Sequence, residues 1–476
     1  MKPVFEYLFG WFRQAPQPAR RALLASCFGW MLDAFDVMLY AMVLAYLMQD
    51  LSISKPTAGL LGSLTLLASA FGGMIFGLVA DRFGRTLALR LSILIYSVFT
   101  ALCGLSQNVI QLAVFRLFLG LGMGGEWASG AALVSEYFPS EHRGKALGFM
   151  QSFWAIGYAL SALVTAIILP RFSWRAVFFA GIIPALVVFW IRKNVEEPEL
   201  WKRARKEVKY SSQIKKSPPS KEAAVSASQL ELKGEAEDKH SVSGANYRKS
   251  AGTEKSSQAP EMPSREYMNN HSYIRSAANS FSSRLVKLTL LVTLMNALTM
   301  FAWWGFNLWI PGYLSLGREA GGVGLSTRHM SSLVMFMQVG MWMGYLTFGY
   351  ISDIFGRKKS YVLFLITASL LVFLYSITPS PSLLLFLGPL VAFFGTGYFS
   401  GFGALTAELY PTRIRATLQG ITYNSGRIVS AIAPLAIGSL AQQHGFKVAF
   451  WLVSLAFSLA ALTWSAIPET KGKELD

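Results

Sequence analysis

Charged residues are scarce in this chain. Asp, Glu, Lys and Arg make up 14% of its 476 residues, whereas hydrophobic residues make up 53%. A soluble protein this apolar could not cover its surface with polar groups, so the composition excludes an ordinary soluble protein. Cysteine is also rare. Cys27 and Cys103 lie in apolar stretches, where a thiol behaves as a small hydrophobe, and they carry no information on redox compartment.

Two kinds of sequence signal are missing. The first residues contain no small-residue cleavage site, so we expect no removable signal peptide. A nucleotide-binding signature is also lacking, which argues against an ATP-driven pump. The net charge of +17 does not indicate a nucleic-acid partner, because most cations lie in short connections between apolar runs. That distribution is typical of a membrane protein with positive cytoplasmic loops.

Twelve apolar runs are long enough to cross a bilayer. The first six lie at 22–49, 58–80, 87–105, 110–135, 146–169 and 175–192. The second six lie at 285–316, 329–351, 360–378, 382–407, 416–440 and 446–467. The sequence therefore predicts an all-α polytopic membrane protein with twelve transmembrane helices in two six-helix bundles.

Lys and Arg are concentrated in alternate connections, including those around Arg82, Arg143 and Arg357. This bias predicts that both termini are cytoplasmic. The segment between the halves is rich in Lys, Glu and Ser and has few apolar residues, so we expect a largely disordered cytoplasmic linker. We divide the chain into an N-terminal bundle at 1–193, this linker at 194–284 and a C-terminal bundle at 285–476.

Two segments recur at one offset. GLVADRFGR at 77–85 returns as GYISDIFGR at 349–357, and SEYFPSEHRGKALG at 135–148 returns as AELYPTRIRATLQG at 407–420. Both pairs are separated by 272 residues. Two independent matches at the same offset indicate that the two halves arose by duplication.

The G-x-x-x-D-R-x-G-R pattern at 77–85, with its second copy, resembles the signature of the major facilitator superfamily. The resemblance implies two bundles that rock about a central site and give alternating access. Carboxylates and arginines at helix ends can form interhelical pairs that break and reform between two states. We therefore assign a gating and scaffold role to Asp81, Arg85, Glu136, Arg143, Asp353, Arg357, Glu408 and Arg415.

Further stretches narrow the resemblance. GWMLDAFDVMLY at 29–40 and RLFLGLGMGGEWASG at 116–130 are similar to the sialate:proton symporter family. ELYPTRIRATLQGITYNSGRI at 408–428 is similar to nicotinate and aromatic-acid permeases. Both groups imply transport of organic acids, mostly with protons. The fifth helix lacks the G-P-x-x-G-G pattern of drug:proton antiporters, which argues against efflux.

Three carboxylates fall at membrane depth, where an ionisable group is costly and needs a reason. Asp33 and Asp36 are spaced i, i+3 on one face of the first helix, and should resist ionising together. Glu126 lies in the fourth helix beside glycines that permit close packing. We assign proton coupling to all three, with structural capping or helix pairing as the alternative.

Arg427 lies near the middle of the eleventh helix, and its counterpart at the 272 offset is Ala155. A guanidinium stays charged and offers a planar fork to a carboxylate, so Arg427 is the main candidate for binding a substrate anion. A permanent pair with Glu126 or an aspartate is the alternative. Arg116 is a second candidate for binding a substrate anion, with an ion pair to one of the buried acids as the alternative. Trp304 and Asn307, one turn apart in the aromatic seventh helix, are candidate cavity walls.

These features predict a monomeric secondary transporter of the inner membrane that imports a small organic anion with protons. Sialate, a monocarboxylate and an aromatic acid all remain open as the substrate. The alternatives are a sugar or polyol porter, a metabolite efflux carrier and a membrane sensor with a transporter fold. We expect no enzymatic activity, no metal and no cofactor other than the proton gradient.

Overall fold

We describe a computed structural model that covers residues 10–198, 201–202, 283–411 and 414–472. Most of the linker predicted at 194–284 lies outside the described residues. Within the described ranges, all regular secondary structure is helical.

The amino-terminal half contains five long helices and a broken sixth. The long helices are α1 (Gln17–Asp50), α2 (Lys55–Phe83), α3 (Arg85–Cys103), α4 (Val109–Tyr137) and α5 (Ser140–Ile168). The sixth pass consists of α6 (Trp174–Phe179), a 3₁₀ turn (Ala180–Ile182) and α7 (Pro184–Asn194). The sequence predicts one continuous run here, but Pro184 lacks the backbone N–H needed to continue the helix, so the segment is interrupted.

The carboxyl-terminal half repeats this arrangement with different interruptions. Its first three passes are α8 (Ser283–Ser315), α9 (Thr327–Phe355) and α10 (Arg357–Ile377). The fourth is α11 (Pro381–Thr396), a 3₁₀ segment (Gly397–Gly401) and α12 (Phe402–Leu409). The last two passes are formed by α13 (Arg415–Ser430) and α14 (Ala433–Thr463), with a non-helical Gly445 inside α14.

Nine helical segments within the described residues are long and apolar enough to cross a membrane. One of them, Leu418–Thr463, spans 46 residues and contains the kink at Gly445, so it supplies two passes. The shorter apolar segment Trp174–Val188 and the 29-residue helix α9 complete the set. The predicted architecture of twelve passes in two sets of six is therefore confirmed.

The duplication is visible in the way the helices begin. Ser54 caps α2 by accepting a hydrogen bond from Thr57 N, and Ser326, 272 residues later, caps α9 in the same way. The turn after each of these helices is made by a glycine with positive φ, 124° at Gly84 and 97° at Gly356. Only glycine adopts this backbone conformation without strain, which permits α3 and α10 to start at once.

The halves meet through two pairs of long helices, α5 with α9 and α2 with α14. We call the end of the bundle where α2 joins α3 and α9 joins α10 the loop face, and the opposite end the far face. Close contacts at the far half of the interface include Gly59, where an added Cβ would lie 2.3 Å from the carbonyl oxygen of Pro434. The fold thus places a central cavity between two bundles that are closely packed toward the far face.

Candidate substrate site

A cavity lies between the two halves. Seven of its ten lining residues are aromatic, and Arg427 is its charged member. The lining comprises Trp30, Gln151, Trp154, Met300, Trp303, Trp304, Tyr345, Phe399, Tyr423 and Arg427. We refer to this set as the central cavity. An apolar, aromatic wall with few polar groups is the usual form of a small-molecule site.

The aromatic lining continues across the boundary between the halves. Trp154 of α5 meets Trp304 of α8 edge to face, with ring centroids 5.9 Å apart. On the other side, Trp127 of α4 stacks on Tyr423 of α13 at 5.7 Å. Trp30 of α1 joins these contacts, with centroids 4.9 Å from Trp127 and 4.7 Å from Trp154. Each half therefore supplies part of one aromatic wall.

Arg427 is 3% exposed, and its guanidinium carbon lies 5.8 Å from the ring centroid of Tyr423. Among the described residues it forms no ion pair and its guanidinium donates no hydrogen bond. Asp33 and Glu126 of the other half are within electrostatic reach of it. The alternative of a permanent ion pair between Arg427 and either acid is therefore not seen in this structure. The guanidinium remains available to an anion in the cavity.

Glu126 is completely buried, and neither carboxylate oxygen has a hydrogen-bond partner among the described residues. It packs against α1 so closely that a Cβ on Gly29 would lie 2.6 Å from its Oε1 atom. Asp33 is 1% exposed and its Oδ2 atom also lacks a partner there. Two unpartnered acids near a buried guanidinium form a polar group that can take up a proton when Arg427 binds an anion and release it when the anion leaves.

Asp36 and Arg116 lie outside the lining of the central cavity. Asp36 accepts a hydrogen bond from Thr100 of α3 at 3.1 Å and faces Gly181 in the interrupted sixth pass. Arg116 is completely buried, with its guanidinium carbon 3.6 Å from the ring centroid of Tyr40 and its Nε atom donating to the carbonyl of Leu61. Asp33 and Asp36 thus face different neighbours despite their i, i+3 spacing.

The two residues of α8 that were predicted to form cavity walls also differ in their neighbours. Trp304 lines the cavity, whereas Asn307 is absent from the lining and donates from Nδ2 to the sulfur of Met38 at 3.8 Å. The backbone carbonyl of Asn307 also accepts a hydrogen bond from Tyr158 at 3.3 Å. Both partners belong to the amino-terminal half, so Asn307 contributes to the contact between the halves, one turn beyond Trp304.

Sequence reasoning missed several cavity residues, among them Gln151, Tyr345 and Tyr423. Gln151 and Tyr345 come from opposite halves, and both line the cavity. A usable signal was present for two of the missed side chains, because Tyr423 lies one turn before Arg427 and Gln151 lies three residues before Trp154. The choice of face for Tyr345 depends on how α9 packs, which the sequence alone does not specify.

The predicted gating residues form the same charge network in both halves. Arg85 pairs with Asp81 and, from Nε, with Glu136 at 2.8 Å. Arg357 pairs with Asp353 at 2.5 Å and with Glu408 at 2.9 Å. All these pairs form within a half. Arg143 and Arg415 instead donate to backbone carbonyls, those of Phe138 and Tyr410.

Each network contains an acid that the sequence reading missed. Glu197 accepts backbone hydrogen bonds from Arg85 at 2.8 Å and Thr86 at 3.0 Å. Glu469 accepts them from Arg357 at 2.8 Å and Lys358 at 3.1 Å. Glu197 and Glu469 are again 272 residues apart, so extending the repeat past its two long matches would have found them. Both cap the amino terminus of a helix, where backbone N–H groups favour a carboxylate.

Comparison with known proteins now identifies the family. The protein-family model described as "Major Facilitator Superfamily" matches residues 26–322 and 292–475 of this chain. The chain belongs to the major facilitator superfamily. It is therefore a membrane transporter and not an enzyme, as the repeated loop motif predicts.

Three curated relatives span nearly the whole chain. A "Putative metabolite transport protein" of Haemophilus influenzae is 31% identical, covering 96% of this chain and 98% of its own length. A "Probable 4-methylmuconolactone transporter" of Cupriavidus pinatubonensis is 30% identical, covering 98% and 94%. The "Sialic acid transporter NanX" of Escherichia coli is 27% identical, covering 94% of each. The resemblance to superfamily members that carry organic acids is confirmed.

A solved structure supports the fold independently. The xylose transporter XylE from E. coli, in a partially occluded inward open conformation, superimposes with a TM-score of 0.69. The alignment covers 97% of this chain and 100% of that one at 18% identity. At this identity, the likeness shows the major facilitator fold alone.

Proposed function

We propose that this transporter imports a small, planar organic carboxylate together with protons, by alternating access across the inner membrane. The observation that carries the proposal is Arg427, a buried cation that lines the central cavity and forms no ion pair among the described residues. An unneutralised guanidinium at membrane depth costs about 2.5–3.5 kcal/mol even on the mildest scale. A substrate carboxylate that binds there relieves this cost.

The shape of the substrate is inferred from the rest of the cavity. Seven aromatic side chains and Met300 offer flat, polarisable surfaces, whereas the hydrogen-bonding groups of the lining other than indole N–H are those of Gln151, Tyr345, Tyr423 and Arg427. A polyhydroxylated acid such as sialate would bury many hydroxyls without partners, at about 1–3 kcal/mol each. A ring or conjugated chain with one carboxylate matches the wall and the cation together. The relative named as a 4-methylmuconolactone transporter is in keeping with such a substrate.

Proton coupling is assigned to Asp33 and Glu126 ahead of Asp36. The first two are within electrostatic reach of Arg427, whereas Asp36 binds Thr100 away from the cavity. A substrate anion on Arg427 removes the positive field that favours the ionised acids, so a proton binds with the substrate. Moving a proton with a monoanion is electroneutral and avoids work against the membrane potential.

The alternative functions fit the cavity less well. A sugar or polyol porter would bind its substrate through amides and tryptophans and has no need of a buried guanidinium, whereas this cavity contains Arg427. Import rather than efflux follows from the inward proton gradient that a proton-coupled symporter uses. A membrane sensor would bind the same acid but would not move it, so transport must be measured directly.

The test is uptake of labelled benzoate, nicotinate and sialate into proteoliposomes under a pH gradient. We expect uptake of at least one planar acid and none of sialate. Arg427→Lys keeps the charge but loses the bidentate fork. It should raise the half-saturation concentration about tenfold or more, the effect of losing one charge-assisted hydrogen bond.

Arg328 provides the control, because it is an exposed arginine at the start of α9, outside the cavity lining. Arg328→Lys should leave the half-saturation concentration unchanged. Sialate uptake with no planar acid transported would contradict the substrate class. A folded Arg427→Gln variant that binds the acid as tightly as the parent would contradict the assignment of Arg427.

A further inference from the structure

Lys55 at the far face reaches from one half of the transporter into the other. It is the first residue of α2, and its side chain is buried at 8% exposure although it carries a charge. Its Nζ atom donates to the carbonyl of Ala320 at 2.8 Å and to that of Ala441 at 3.3 Å. Both acceptors belong to the carboxyl-terminal half.

The two acceptors are suited to a cation because each lies at the end of a helical segment. Ala320 ends a 3₁₀ helix that is closed by Gly321 in the left-handed conformation. Ala441 lies in the last turn of α14 before the non-helical Gly445. Carbonyls at helix ends lack intrahelical donors and carry partial negative charge. The ring of Phe446, with its centroid 5.3 Å from Nζ, adds a cation–π contact.

A second contact between the halves occupies the duplicated position. Thr327, 272 residues after Lys55, is the first residue of α9. Its hydroxyl shares a hydrogen bond of 2.5 Å with the hydroxyl of Tyr46 in α1. The first residue of the second helix in each half therefore reaches into the opposite half, from both sides of the pseudo-twofold axis.

We propose that Lys55 and the Tyr46–Thr327 pair form a two-point clasp that holds the far face closed. The first repeat has lysine at the position where the second has threonine. The two points of the clasp are therefore unequal, and the contact made by the charged Lys55 is the stronger one. Opening of the far face must break all three hydrogen bonds, so the clasp biases the empty carrier toward the state that is closed there. This role does not depend on which substrate the central cavity binds.

The test measures opening of the far face without substrate. Spin labels at Gln107→Cys and Ser380→Cys, exposed positions in opposite halves, report the distance across that face in a Cys27→Ala, Cys103→Ala background. Lys55→Met should increase the ratio of long to short distances at least about tenfold, because it removes both charge-assisted hydrogen bonds of Nζ. Thr327→Val should shift the ratio in the same direction, about two- to fivefold, as expected for a neutral hydrogen bond.

Lys447→Met is the matched control, since Lys447 is an exposed lysine in α14 two residues beyond Gly445. It removes the same charge without touching the clasp and should leave the distances unchanged. An unaltered distance distribution in Lys55→Met, or an equal shift in Lys447→Met, would overturn the proposal. If Lys55→Met does not fold, Thr327→Val decides, and an unchanged ratio there has the same meaning.

Discussion

Buried charge is divided unequally between the two halves of this transporter. In the amino-terminal half, Asp33, Asp36, Arg116 and Glu126 are each at most 1% exposed at membrane depth. Among the described residues of the carboxyl-terminal half, Arg427 is the charged side chain that is buried. At the 272 offset, these five residues correspond to Gly305, Leu308, Gly388, Tyr398 and Ala155.

The loop face shows the opposite behaviour. There the two halves keep the same carboxylate–arginine–carboxylate network, the same glycine turn and the same capping acid. A buried charge without a fixed partner does not stabilise the contact between helices, whereas a network of ion pairs at the helix ends does. The duplicated halves thus retain the groups that hold helices together and differ in the groups that we assign to substrate and proton.

Among the substitutions that test this comparison, Glu126→Gln should have the largest effect on transport. If the acids near Arg427 couple substrate to protons, accumulation driven by a pH gradient should fall about 5- to 150-fold, the usual range for one coupling interaction. Exchange of internal for external substrate should persist, because it needs no net proton movement. Uptake and exchange in proteoliposomes separate the two activities.

Asp36→Asn is the matched comparison for Glu126→Gln. Asp36 is an equally buried carboxylate of the same half, but it binds Thr100 and does not line the cavity. We expect its substitution to reduce accumulation less than Glu126→Gln does. A larger effect at Asp36 would move the coupling site away from the cavity and restore the Asp33/Asp36 pair of the sequence-based prediction.

The second prediction concerns a small inequality within the shared network. The Oε2 atom of Glu408 accepts a hydrogen bond of 2.5 Å from Thr470, whereas Oε2 of Glu136 has no partner among the described residues. The residue at the position of Thr470 in the first half is Pro198, which has no hydroxyl. Glu408→Gln should therefore lower the free energy of unfolding more than Glu136→Gln, by about 1 kcal/mol.

Thermal unfolding of the purified variants in detergent measures this difference. Thr470→Val removes the extra hydroxyl while keeping the side chain's shape, so the Glu408 and Glu136 substitutions should cost equal amounts in that background. A difference that survives Thr470→Val would show that the inequality has another origin, such as the packing around Arg357.

The sequence predicts this fold well because its evidence is repeated. Apolar runs define the passes by length, and the 272-residue offset pairs Arg85 with Arg357 and Glu136 with Glu408 without knowledge of packing. The site is harder, because a helix has one sequence but several faces. Asp33 and Asp36 share a stripe in α1, yet one approaches Arg427 and the other Thr100, since neighbouring helices divide that stripe.

The cavity wall shows the same difficulty. Trp304 was predicted from its own helix, but its partner Trp154 comes from α5 of the other half. Their contact depends on how each of the two helices is rotated about its own axis, and no local pattern in either segment specifies that rotation. Arg427 was found because a buried cation stands out in any sequence, whereas an aromatic residue in an aromatic-rich chain does not.

The smallest expected effect is a pH dependence of the stability that Glu469 contributes at the loop face. Partial burial acts to raise the pKa of Glu469, but backbone N–H groups of Lys471, Arg357, Thr470 and Lys358 outweigh it and hold the pKa below its ordinary value of 4.5. A lowered pKa in the folded state means that the ionised carboxylate stabilises the fold above about pH 4.5. This stabilisation is lost as the pH falls through the folded-state pKa.

Glu469→Gln should therefore lower the unfolding temperature at pH 7 by a few degrees at most, because Glu469 is exposed to solvent. The deficit relative to the parent should shrink as the pH falls below about 4.5 and through the folded-state pKa, because the parent then loses the stabilisation by its ionised carboxylate. Glu319→Gln, which removes the same charge at an exposed acid on the far face, should leave the unfolding temperature at pH 7 unchanged. If the deficit of Glu469→Gln stays constant between pH 7 and pH 4, the shape of the side chain rather than its charge stabilises the start of α10. The negative charge would then not be the feature that Glu469 shares with Glu197 in the other half.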